Sequence, residues 1–201
     1  MDRSRCSSSA RCRVVDARWL AVALLIGVTS PAAAQSAPGL PEADRGRLAK
    51  AIALAEAPAA GQAASRLARA LRASLDGAPS DQARGYEDLV KARSALRQSL
   101  TPADYRYLEF QLWQEGVARY IELAVARAAA AAHPEYARVA QALRDSLMAR
   151  LETLRLEDQR RLAFYTLGAA IALVLDERRP DWKRIYAERR FSQADLLPDP
   201  R

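Results

Sequence analysis

Gln111, Glu115, Arg119 and Glu122 are the residues of this chain best spaced for chemistry. Their intervals of four, four and three place them on one face of a helix. Two carboxylates on such a face can line a cleft and divide acid and base roles between them. The arginine between them points the other way. A fixed positive charge keeps both acids ionised, whereas a general acid must hold its proton. The four residues therefore read as a solvated ladder of ion pairs, and no catalytic residue is assigned.

Metal and nucleophilic chemistry find few candidates. After residue 34 the chain has one histidine, His133, and no cysteine. A catalytic zinc takes three protein ligands, usually two or three of them histidines. His133 precedes Pro134 at a helix end, where an imidazole interacts with the last free carbonyls. No D-x-D-x-D-G calcium loop, G-x-S-x-G elbow, P-loop or G-x-G-x-x-G fingerprint occurs. No metal and no cofactor is expected.

The polar strip belongs to one long helix. Thr101 is a suitable N-cap, Pro102 fits the first position, Asp104 stands where a capping-box acid belongs, and Pro134 closes the far end. Tyr105, Leu112, Trp113, Gly116, Val117, Tyr120, Ile121 and Leu123 cover a wide apolar arc, with a bend expected at Gly116. Such a helix should be central, with Trp113 and Tyr120 in the core. Leu162 to Val174 is apolar nearly all round and predicts a second buried helix, too short to span a bilayer. Its Gly168 suits a close helix–helix contact.

The remaining elements follow from stripes and breakers. Helices are expected over 41–57, over 61–75, and from an N-cap at Ser80 to Leu100. Pro134 opens another, with a stripe of Tyr136, Val139, Leu143, Leu147, Leu151 and Leu154. A break falls near 156–158. A short element holds Trp182, Ile185 and Tyr186, and Ser192 to Asp195 forms a capping box for a last turn. No alternating strand pattern appears. The expected fold is an all-α helical bundle around two buried helices, about 102–132 and 159–178, within a single domain at 41–197.

The chain opens differently. Five arginines and two acids lie in the first 34 residues, with the apolar run Trp19 to Val28 and then Ala32-Ala33-Ala34. A charged region, a short apolar region and an A-x-A site are the marks of a secretory signal peptide at 1–34, followed by a linker at 35–40. The reading is an exported protein, periplasmic or secreted, with no stable membrane insertion after cleavage. Both cysteines, Cys6 and Cys12, lie in the signal. The whole chain carries 31 basic and 24 acidic residues, and removing the signal leaves a mild +4. Neither that charge nor export suits a nucleic-acid partner.

Trp113-Gln114-Glu115-Gly116-Val117-Ala118-Arg119-Tyr120 resembles the W-x-E-G-x-A-x-Y segment of gluzincin-type zinc metallopeptidases. Phe164-Tyr165-Thr166-Leu167-Gly168-Ala169, Leu175-Asp176 and Pro180-Asp181-Trp182-Lys183 resemble the helical C-terminal half of the same family. The resemblance implies that Glu115 matches the third zinc ligand. The family's other two ligands and its general base come from an upstream H-E-x-x-H, which this chain lacks. The expectation is thus a truncated, non-catalytic relative that binds or scaffolds an unidentified protein or peptide. The alternatives are a metallopeptidase component whose zinc ligands come from another chain, and a membrane-tethered helical protein.

Overall fold

The computed structural model describes residues 57–186, with positions 42, 43, 46, 49, 50, 53, 188, 192, 193 and 196–198 on either side. The signal at 1–34, the linker and most of the helix expected over 41–57 lie outside the described residues. The fold is all-α, with no strand among the described residues. Helix α1 (Pro58–Leu75) pairs with α2 (Pro79–Gln98). Next come α3 (Pro102–Gln111), a π-helical turn (Leu112–Gly116) and α4 (Val117–Ala132), which continue one another. A 3₁₀ turn (Pro134–Tyr136) leads into α5 (Ala137–Glu152), followed by α6 (Leu156–Gln159), α7 (Leu162–Arg178) and α8 (Trp182–Ile185).

Local chemistry sets these boundaries. Pro58, Pro79 and Pro102 each open a helix, where a missing N–H costs nothing. Thr101 caps α3 by accepting the Asp104 N–H at 3.2 Å. Pro79 takes the first position of α2, so Ser80 lies inside the helix and Ala78 stands at the cap. Gly77 turns α1 into α2 at φ 103°, a conformation that disfavours a Cβ.

Helix α7 is the axis of the core. Every residue from Ala163 to Leu175 is buried except Tyr165. It packs against α1, α3, the π-turn, α4 and α5, as its apolar circumference requires. No helix among the described residues is long and apolar enough to cross a membrane.

The other expected central helix is buried over only part of its length. After Leu123 no residue is buried until Leu147. Ile121 is 43% exposed and Val125 57%. Tyr136 and Val139, expected in the apolar stripe of the next helix, are exposed as well. The physical reason is length. Helix α7 ends at Arg178, with Leu173, Asp176 and Glu177 facing Leu123 and Arg127 across a shallow groove. Beyond that level, among the described residues, the far turns of α4 pair with α5 and bury no side chain.

Candidate functional site

The segment from Trp113 to Tyr120 forms the π-turn and the start of α4, and its side chains meet α7 and α8 one after another. At the centre the two backbones touch. A Cβ on Gly116 would stand 2.2 Å from the Gly168 Cα, and a Cβ on Gly168 would stand 2.5 Å from the Leu112 carbonyl oxygen. Only glycine at both positions permits this approach, in line with the close contact read from Gly168. A π-turn ends at Gly116, where the sequence places a bend.

On one side of the glycine crossing, Trp113 stacks on Tyr186, with ring centroids 4.8 Å apart and planes 15° from parallel. The Tyr186 hydroxyl donates to the Trp113 carbonyl at 2.7 Å. Trp113 is thus partly buried under an aromatic lid rather than sealed in the core. On the other side lies Asp176, at the end of α7. Its carboxylate accepts from the Tyr120 hydroxyl at 2.8 Å and the Trp182 indole N–H at 3.0 Å, and pairs with Lys183 Nζ at 2.7 Å. Burial alone would raise the Asp176 pKa, but its bonds to Lys183, Trp182 and Tyr120 together hold it below the ordinary value. Tyr120 and Trp182 are buried edge to face, with centroids 5.4 Å apart.

The polar strip is not a solvated ladder. Glu115 is 7% exposed and Gln111 5%, while Arg119 and Glu122 pair with each other at the surface. An extra residue in the π-turn breaks the 100° register, so residues before and after it cannot share one face. Arg119 therefore does not hold Glu115. Arg161, at the start of α7, takes that place with Nη2 3.7 Å from the carboxylate. The same Nη2 donates to the Tyr165 hydroxyl at 3.0 Å. Burial raises the Tyr165 pKa, and its hydrogen bond to Glu115 raises it further. Gln111 donates to the Tyr107 hydroxyl at 2.9 Å.

Glu115 in this setting does not fit a zinc ligand. The Arg161 guanidinium stands 3.7 Å from its carboxylate, and a zinc ion there would face that fixed charge. His133 is exposed near the tip of the α4–α5 hairpin, 3.6 Å from Glu135, and its backbone N–H closes the last turn of α4. Among the described residues no three His, Cys, Asp or Glu side chains come together as a ligand set.

Sequence reasoning missed a second buried charge. Glu109 on α3 is 3% exposed, and Arg93 Nη2 on α2 reaches both of its oxygens at 2.5 and 2.7 Å. Burial raises the pKa of Tyr105, whose hydroxyl also bonds Glu109. The signal was present in the spacing. Glu109 falls four residues after Tyr105 and three before Leu112, inside the apolar arc rather than on the polar strip.

Set against protein-family models, curated proteins and solved structures, the chain matches none of them.

Proposed function

We propose that this is an exported helical protein with a binding or scaffolding role, a relative of the gluzincin peptidases that performs no peptide hydrolysis. The observation that carries this reading is the environment of Glu115. The one residue matching a family zinc ligand is buried, with the Arg161 guanidinium 3.7 Å from its carboxylate and Tyr165 beside it, so its surroundings are cationic where a metal ligand would need to receive a cation. Without that metal there is no lowered water pKa and no Lewis acid for a peptide carbonyl. The other motif residues serve packing. Gly116 admits α7, Tyr120 anchors Asp176, and Trp113 stacks under Tyr186. Export rests on the order of charge, apolar run and A-x-A site in residues 1–34.

The test combines three measurements on protein purified from its native host. N-terminal sequencing is expected to begin at Gln35. Metal analysis after dialysis is expected to find no stoichiometric zinc, and a casein-release assay no hydrolysis. One zinc per chain, with hydrolysis abolished by Glu115→Ala, would overturn the non-catalytic reading.

A further inference from the structure

Two buried charges that contribute little to stability by themselves mark the place. An ion pair such as Arg93–Glu109 loses most of its Coulombic gain to desolvation, and apolar side chains of similar volume commonly do as well. What apolar side chains cannot do is accept hydrogen bonds from an incoming main chain. Glu109 does this: one oxygen takes the Gln193 backbone N–H at 3.0 Å and the Ser192 hydroxyl at 3.3 Å. Gln193, Leu196 and Pro198 make further contacts with the bundle. Gln193 is fully buried, with its side-chain amide donating to the Gly168 carbonyl at 3.3 Å. Leu196 is fully buried, and its carbonyl accepts from Arg179 Nη1 at 3.2 Å. The Pro198 carbonyl accepts from the Tyr86 hydroxyl.

Three of these five contacts use the segment's main chain and receive it with side chains of the bundle. That division is how grooves recognise peptides: main-chain bonds give affinity, and pockets for chosen side chains give specificity. Here the pockets take a glutamine and, three residues on, a leucine. We propose that Tyr86, Glu109, Gly168 and Arg179 form a peptide-accepting cleft whose ligand is a Gln-x-x-Leu segment, occupied in this chain by its own Ser192, Gln193, Leu196 and Pro198. The cleft thus gives the binding role a ligand class, and it rests on the reading of this chain as a binding protein. Effective concentration keeps the tail in place until a peptide of the same chemistry displaces it.

The experiment opens the cleft without deleting its occupant. A protease site inserted after the exposed Glu188 is cut in the folded chain, and a fluorescent peptide carrying the sequence of residues 189–201 is added. The cut chain is expected to take up one labelled peptide saturably. The uncut chain should bind at least tenfold more weakly, and a peptide with Leu196→Asp should not compete. A second variant, full-length Leu196→Asp, is expected to accept the wild-type peptide without any cut. If either altered chain loses helicity, recovery on adding the peptide supports the cleft and no recovery overturns it. Folded, opened chains that take up no peptide would also overturn it, as would uncut chain binding as tightly as cut chain. The zinc and casein measurements are separate readouts, so either proposal can fail alone.

Discussion

Helix α4 passes through two environments. Its first two turns lie against α7, where Val117, Tyr120 and Leu123 are buried and Tyr120 is tied to Asp176. Its later turns project with α5, and from Ala124 to Ser146 nothing is buried. Of the five exposed large hydrophobic residues described, Val125, Tyr136 and Val139 belong to this hairpin. Both parts of the helix are apolar in sequence, so apolarity alone does not decide burial. In the seam, α4 is held by tertiary packing. In the projecting hairpin, the alanine run from Ala128 to Ala132 holds the helix by intrinsic propensity, with little packing to assist it.

The widest test of this contrast changes one methyl group in each region. Gly168→Ala puts a Cβ 2.5 Å from the Leu112 carbonyl oxygen, so two packed helices must separate. The expected loss is about 3 kcal/mol in urea unfolding. The reverse change in the hairpin, Ala128→Gly, removes a methyl that packs on little and should cost about 1 kcal/mol, through helix propensity. Equal losses at the two positions would erase the distinction between seam and hairpin.

Asp176 gives the next largest effect. Asp176→Asn replaces a carboxylate held by a cation and two neutral donors, and should cost about 2 kcal/mol at neutral pH. The pH dependence has a definite sign. The folded pKa of Asp176 lies below its ordinary value of 3.8. Its contribution is therefore full above that value and is lost as pH falls through the lower folded one. The gap between wild type and Asp176→Asn should be constant from pH 7 to about 5 and close below about 4. A gap that does not narrow at all as pH falls below 3.8 would show that the carboxylate's charge is not what holds Tyr120, Trp182 and Lys183.

The smallest effect belongs to the exposed hairpin. Val125→Ser removes an apolar side chain that is 57% exposed, and should change stability by no more than about 0.5 kcal/mol. A loss near 2 kcal/mol, measured by thermal unfolding, would mean that Val125 is covered in solution and that the hairpin has a partner.

Several elements were legible because the information is local. Pro102 at a helix start, Thr101 with Asp104, and the nearly all-round apolarity of Leu162 to Val174 specify helices without reference to the rest of the chain. The close contact at Gly168 was legible for the same reason, since a lone glycine inside an apolar helix suggests a neighbouring backbone. The site was harder to read. Regular helical spacing put Glu115 beside Arg119 at the surface, but the π-turn breaks that spacing between them. Spacing within a single helix also cannot reveal that Arg161, forty-six residues on, supplies the countercharge, or that Arg93 meets Glu109.

The sequence by itself determined that the chain is all-α, that a helix starts at Pro102, and that α7 is buried nearly all round. Helix formation and apolar patterning depend on neighbours within about four residues, and those are written in order along the chain. Only the tertiary structure decided how far along α4 burial extends, which arginine neutralises each buried carboxylate, and where the C-terminal segment lies. These depend on the length of α7 and on a one-residue shift at the π-turn. They also depend on contacts between residues 16 to 112 positions apart, whose geometry exists only once the helices have packed.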